Sequence, residues 1–106
     1  MANNYKNAKL DLTATSATTL YTAASAVTGI FKSILVSNDS GSADTITATI
    51  TNGSDVFSLF KVTAVAANTT IELLTQPLVV QETEILKVTA ATANRLHVVA
   101  SYLEIS

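Results

Sequence analysis

The 106-residue chain has no cysteine and no tryptophan, one histidine, one proline and three glycines, and only 13% of its residues are charged. Each shortage removes a class of explanation. Without cysteine there is no disulfide framework and no thiolate metal site. A single histidine, His97, excludes a multi-histidine metal centre and leaves one candidate base for any catalytic triad. Six basic residues against eight acidic ones, scattered along the chain, do not form the cationic patch that displaces counterions from phosphates, so no nucleic-acid partner is expected. No apolar run reaches the roughly eighteen residues that would suggest a membrane helix, so no membrane partner is expected. The opening MANNYKNAK lacks the apolar core of a signal peptide, so export by that route is not expected either. The three glycines (Gly29, Gly41, Gly53) are spaced too widely for a phosphate loop.

What the chain does have is hydroxyls. Threonine and serine make up about a quarter of it, while 48% is hydrophobic. A chain of this size forms one domain with one modest core. Apolar residues recur with a period of two, in β-branched runs, and no stretch shows helical spacing. Strands are predicted over 18–23, 29–38, 44–51, 55–64, 69–75, 77–80, 84–90 and 95–105. Turn signals separate them: Asn38-Asp39-Ser40-Gly41-Ser42, Asn52-Gly53-Ser54, Ala67-Asn68, Gln81-Glu82-Thr83 and Thr92-Ala93-Asn94. Asn52-Gly53 predicts a direct hairpin between 44–51 and 55–64, because both residues tolerate positive φ. Pro77 is expected to start a strand or sit at an edge or bulge. The predicted fold is all-β, an antiparallel two-sheet β-sandwich or jelly roll of seven or eight strands over residues 10–106, preceded by an N-terminal arm, 1–9.

In DTITATIT (44–51), Ile46, Ala48 and Ile50 would face the core while Thr45, Thr47, Thr49 and Thr51 form a row of hydroxyls outside. Two other runs read as apolar on both faces. GIFKSILVSN alternates Ile30, Ile34 and Val36 with Phe31 and Leu35. RLHVVASYLEIS alternates Leu96, Val98, Ala100 and Tyr102 with Val99, Leu103 and Ile105. One core layer cannot cover both faces, so a loop or another subunit is expected on the second. The arm, with Tyr5, Lys6 and Lys9, is expected to dock on a neighbour. Tyr5, Lys6, Lys9, Thr45, Thr47, Thr49, Val99, Leu103 and Ile105 are therefore the candidate interface residues.

The chemistry-bearing residues give nothing sharper. His97 lies mid-strand with no serine marked as its nucleophile, so no catalytic site is proposed. Asp39, Asp44, Asp55, Glu82 and Glu84 fall at turns without the spacing of a calcium loop, and no metal or cofactor is expected. The sequon matches at Asn38, Asn52 and Asn68 coincide with turns and are read as turn residues.

The order YTAASAVTGIFKSILVSNDSGSADTITATI (21–50), TTIELLTQPLVVQETEILKVTA (69–90) and HVVASYLEIS (97–106) resembles small virion structural proteins of tailed bacteriophages, of the marine and cyanobacterial phage type. The chain departs from that pattern at Gln81-Glu82-Thr83-Glu84, where a Gly-Asp turn is usual. The resemblance implies a β-sandwich without enzymatic activity, located in the virion and assembled in the cytoplasm of a bacterial host. Its implied partners are other virion proteins, the major capsid protein foremost, and copies of itself. Capsid decoration (cementing the outside of the head) is the leading role it implies. A neck, tail or baseplate ring is the alternative. A carbohydrate-binding adsorption module is a third, and would need exposed aromatic rings to stack on sugars.

Overall fold

The computed structural model describes residues 3–106, and nine antiparallel strands account for its regular structure: β1 (Asn3–Asp11), β2 (Thr18–Thr22), β3 (Thr28–Asn38), β4 (Asp44–Thr51), β5 (Val56–Val65), β6 (Thr69–Glu72), β7 (Leu78–Val80), β8 (Ile85–Ala90) and β9 (Leu96–Ile105). They form two sheets. The first runs β1-β9-β3, with β6 and β7 both on the far edge of β3; the second runs β2-β8-β4-β5. The all-β two-sheet sandwich expected from the alternation is what the chain forms.

The pairing is nested. β1 pairs with β9, β2 with β8, β3 with β6 and β7, and β4 with β5. The chain thus folds back on itself at the β4–β5 hairpin, and the resulting long ribbon wraps so that its paired layers fall alternately in one sheet and the other. Further pairing of β3 with β9 and β4 with β8 closes each sheet. At the hairpin only Gly53 takes positive φ (99°). Asn52 instead accepts the backbone N–H groups of Ser54 (3.0 Å) and Asp55 (2.9 Å) on its side-chain oxygen, which makes a four-residue loop.

Inward residues from both sheets build one core: Phe31, Ile34 and Val36 of β3 and Leu96, Val98 and Ala100 of β9 against Ile46 and Ala48 of β4 and Leu86, Val88 and Ala90 of β8. At one end Tyr21, Phe31 and Tyr102 form an aromatic cluster with ring centroids 4.7–5.1 Å apart. At the other, Asn38 is buried but fully engaged. Its amide donates to the carbonyls of Ser42 (2.9 Å) and Val65 (3.2 Å), and its oxygen accepts from the N–H and hydroxyl of Ser40. This asparagine fixes the β3–β4 loop, as a turn residue should.

Two sequence expectations change here. Of the arm expected over 1–9, residues 1 and 2 lie outside the described residues. Residues 3–9 belong to β1, in continuous register with β9 of the same chain. The ordering assigned to a neighbour is therefore supplied internally. Leu12, just past β1, is fully buried and donates its N–H to the Leu96 carbonyl at 3.0 Å, while Ala8 and Leu10 pack on the core. Second, β3 is not apolar on both faces in the way simple alternation suggests. Its register against β9 shifts between Phe31 and Ser33, so that Lys32 is the extra residue of a bulge. Phe31 then shares the inner face with Ile34 and Val36, and Ile30 joins Leu35 outside.

Candidate functional site

Among the described residues no group of three or more histidine and acidic side chains is placed to hold a metal ion. The turn carboxylates serve the backbone. Asp44 accepts the N–H groups of Thr45 (2.8 Å) and Thr92 (3.2 Å), Glu82 that of Ala26 (2.6 Å), and Glu84 that of Gln81 (2.7 Å). His97 points outward from β9 between Asp11 (3.3 Å) and Asp39 (3.8 Å). What remains as functional surface is the pair of outer sheet faces, and they differ in kind.

On the first sheet, register places residues of like face side by side. Tyr5 (β1) lies opposite Leu103 (β9), Leu103 opposite Ile30 (β3), and Ile30 opposite Val79 (β7). One polar row away, Lys9, Val99, Leu35 and Glu72 line up in the same manner. Tyr5 is 80% exposed, Val79 49%, Leu35 40% and Val99 38%. A soluble sheet with one core layer would put polar side chains here. Instead two neighbouring rows carry six large apolar residues, between which run Asn7, Ser101 and Ser33. Of the residues proposed from sequence, Tyr5, Lys9, Val99 and Leu103 come together on this face. Ile105 lies at its end, opposite Asn3 and Thr28. Ile30 and Val79 were not singled out, because the bulge at Lys32 that turns Ile30 outward has no sequence signature.

Lys6 has a different place. Its side of β1 faces the open end of the sandwich, where the ammonium pairs with Glu104 Oε1 at 2.8 Å while the Tyr21 hydroxyl donates to Glu104 Oε2 at 2.7 Å. The hydrogen bonds from Lys6 and then Tyr21 hold the Glu104 carboxyl below its ordinary range. Glu104 in turn raises Lys6. Burial, helped by the bond to Glu104, pushes the Tyr21 hydroxyl far above the usual tyrosine range. These groups seal the aromatic end of the core with one ion pair and one charge-assisted hydrogen bond. On the far edge of β3, Glu72 binds the Ser33 hydroxyl and the N–H groups of Ile34 (2.7 Å) and Leu74 (3.2 Å). Burial alone would raise its pKa, but the three donors outweigh that and leave it lowered. The carboxylate thus satisfies the backbone that the bulge frees.

The outer face of the second sheet is hydroxylic. Thr45, Thr47 and Thr49 alternate with the buried Ile46 and Ala48 and are half-buried. Thr47 stands opposite Thr89, and Thr49 opposite Lys87, which is itself opposite Thr19. Thr47 has a structural task as well, since its hydroxyl accepts the Val62 N–H at 3.0 Å where β5 bulges. Exposed apolar residues on this sheet, Val56, Phe57 and Val62, are confined to the edge strand β5. Phe57 and Tyr5, the two well-exposed rings, therefore sit on different sheets and make no common stacking platform.

No protein-family model and no curated protein sequence matches the chain. In fold it is similar to a pentameric capsid protein isolated from metagenomic phage sequences, represented by two crystal structures, one of them solved by iodide phasing. Both match with a TM-score of 0.50 and 16% identity over 94% of this chain. The chain spans 59% and 60% of the length of those capsid proteins. At this identity the likeness is one of fold.

Proposed function

We propose that the chain is a structural component of a phage virion, working as a decoration protein on the outside of the head through contacts with capsid protein and with copies of itself. The observation that carries this reading is the two-sidedness of the sandwich. One outer face presents Tyr5, Leu103, Ile30, Val79, Val99 and Leu35; the other presents threonine. An apolar sheet face in a thin domain gains by being covered. A hydroxyl-rich face holds its hydration with few charges and stands well in water. The apolar face would lie against the particle, and the threonine face outward.

Two further observations support the reading. The nested strand order, with β6 and β7 sharing the work of one strand, favours reading the sandwich as a jelly roll, an architecture that viral capsid domains use. The solved proteins of similar fold are themselves described as pentameric phage capsid proteins. Their pentameric state favours an assembly of several copies here.

The test is quantitative mass spectrometry of purified parent virions, followed by rebinding of the recombinant protein to heads that lack it. Hundreds of copies per particle, with rebinding abolished by Leu35→Asp and retained in Thr49→Glu, is the expected result. A single ring's worth of copies would transfer the protein to the neck or tail. Absence from the virion would overturn the proposal.

A further inference from the structure

The two sheets have four edges among the described residues, and three of these edges are short or irregular. β2 has five residues and a register shift between Thr19 and Tyr21; β6 and β7 have four and three. β5 is long, but its register against β4 shifts twice and Val62 sits at φ 52°. Short, bulged and twisted edges are how sheets avoid adding foreign strands. β1 is the exception. It runs nine residues in unbroken register and contains no glycine, no proline and no positive φ. Its one inward lysine, Lys6, would ordinarily guard an edge, but that charge is already paired with Glu104.

We infer that β1 is a homotypic docking edge: two copies join β1 to β1, antiparallel, about a two-fold axis at Asn7. The register follows from the strand itself. Paired residues must share a face, so the axis can pass only through a residue position, and only Asn7 gives complete overlap of Asn3–Asp11 with itself. In that register Tyr5 faces Lys9 of the second copy, twice by symmetry, so that an ammonium meets an aromatic ring on each side of the axis. Moving the axis to Lys6 would set two Lys6 side chains directly opposite, and moving it to Ala8 would set Tyr5 against Asp11. Maximal overlap and the pairing of ring with ammonium thus select the same register. The axis is normal to the sheet, so both apolar faces emerge on one side of a single ten-stranded sheet. This contact goes beyond the proposed place in the virion and holds in solution wherever the protein sits on a particle.

The chain's lack of cysteine makes the test direct, because Asn7→Cys introduces the only thiol. Residues directly opposite in an antiparallel pair have Cα atoms about 4.5–5.5 Å apart, within the range a disulfide spans. Asn3→Cys would place the two thiols eight residues apart along the pair, roughly 27 Å at about 3.4 Å per residue. Mild oxidation should convert Asn7→Cys to a covalent dimer and leave Asn3→Cys monomeric. Light scattering should give twice the chain mass for the unaltered protein. Tyr5→Lys should weaken the dimer at least tenfold, and Tyr5→Lys combined with Lys9→Tyr should restore it. A monomer at every concentration up to about 1 mM, equal cross-linking of the two cysteine variants, or failure of the swap to restore association would each overturn the inference.

Discussion

Gly29→Ala should destabilise the domain, although the position is one where alanine would ordinarily help. Gly29 lies in β3 and does not take positive φ, so alanine suits its backbone and would gain about 0.4–1 kcal/mol by restricting the unfolded chain. The obstacle is Tyr21. A Cβ at residue 29 would stand 2.8 Å from Tyr21 Cε2 and 3.1 Å from its Cζ and hydroxyl oxygen. The ring cannot swing away cheaply, because it is buried, packed against Phe31 and Tyr102, and bonded to Glu104. If it stays, the overpacking costs about 1–3 kcal/mol. If it moves, a hydrogen bond to a charged group worth about 1.5–3 kcal/mol goes with it. After subtraction of the alanine gain, a net loss of about 1–2 kcal/mol is expected. That corresponds to a Tm lower by about 5–15 °C for a domain of this size. Thermal unfolding followed by circular dichroism measures it. In a Tyr21→Leu background the same Gly29→Ala change should become neutral or stabilising, since the two sites are directly coupled. An unchanged or raised Tm for Gly29→Ala in the unaltered protein would refute the close approach of Tyr21 on which the estimate rests.

Acid should weaken the fold through Glu72 and Glu104. Both carboxyls lie below their ordinary value of 4.5 in the folded protein, so their contribution is complete above that pH and is lost as pH falls through the lowered values. A Glu72→Gln, Glu104→Gln double variant should show a flatter Tm profile between about pH 5 and pH 2. Thr47→Val, which removes the acceptor of the Val62 N–H, should cost about 1 kcal/mol in urea unfolding. Thr49 faces Lys87, so Thr49→Glu should be more stable than Thr49→Lys by about 0.2–1 kcal/mol, most clearly at low salt. Thr83 occupies φ 69° in the turn between β7 and β8, and Thr83→Asn should raise the Tm by relieving a β-branched residue of that conformation.

Period-two patterning carried most of the fold. Eight of the nine strands were legible because period-two alternation and β-branched runs mark them, most cleanly where Ile46 and Ala48 alternate with threonine, and because Asn38, Asn52, Asn68 and Asn94 punctuate the runs. β1 was not legible. Its inward positions Asn4 and Lys6 are polar, and only Ala8, Leu10 and the following Leu12 keep the alternation; the pairing with β9 that orders it is a contact between the two ends of the chain. Bulges are the other blind spot. A single extra residue at Lys32 exchanges the faces of everything on one side of it, so Ile30 read as a partner of Ile34 and Val36 when it in fact lies outside. The same limit hid half of the candidate surface. Val99 and Leu103 were visible from the β9 pattern, but the rows they belong to exist only once the registers of β1, β3 and β7 are known.

The composition that first set the chain apart, many hydroxyls and few charges, has different work on its two sides. On the second sheet Thr47 and Thr51 use their hydroxyls locally, Thr47 at the bulge of β5 and Thr51 on the Asp55 carbonyl at 2.7 Å, so part of the threonine row is bound up in holding the edge and hairpin. On the first sheet Asn7, Ser101 and Ser33 separate two apolar rows, with the Glu72 carboxylate bonded to the Ser33 hydroxyl at one end of the strip. Desolvating the amide and hydroxyls of such a strip is far less costly than desolvating ions, which favours burial of the apolar rows it separates. Of the charges near it, Lys9 and Glu72 stand at opposite ends of one row, over β1 and β6, and Lys32 is exposed at the bulge of β3. A contact surface organised this way would draw its affinity from apolar area and its orientation from the rim. Binding to the particle should then tolerate salt well, while Lys9→Glu should alter register or symmetry more than strength.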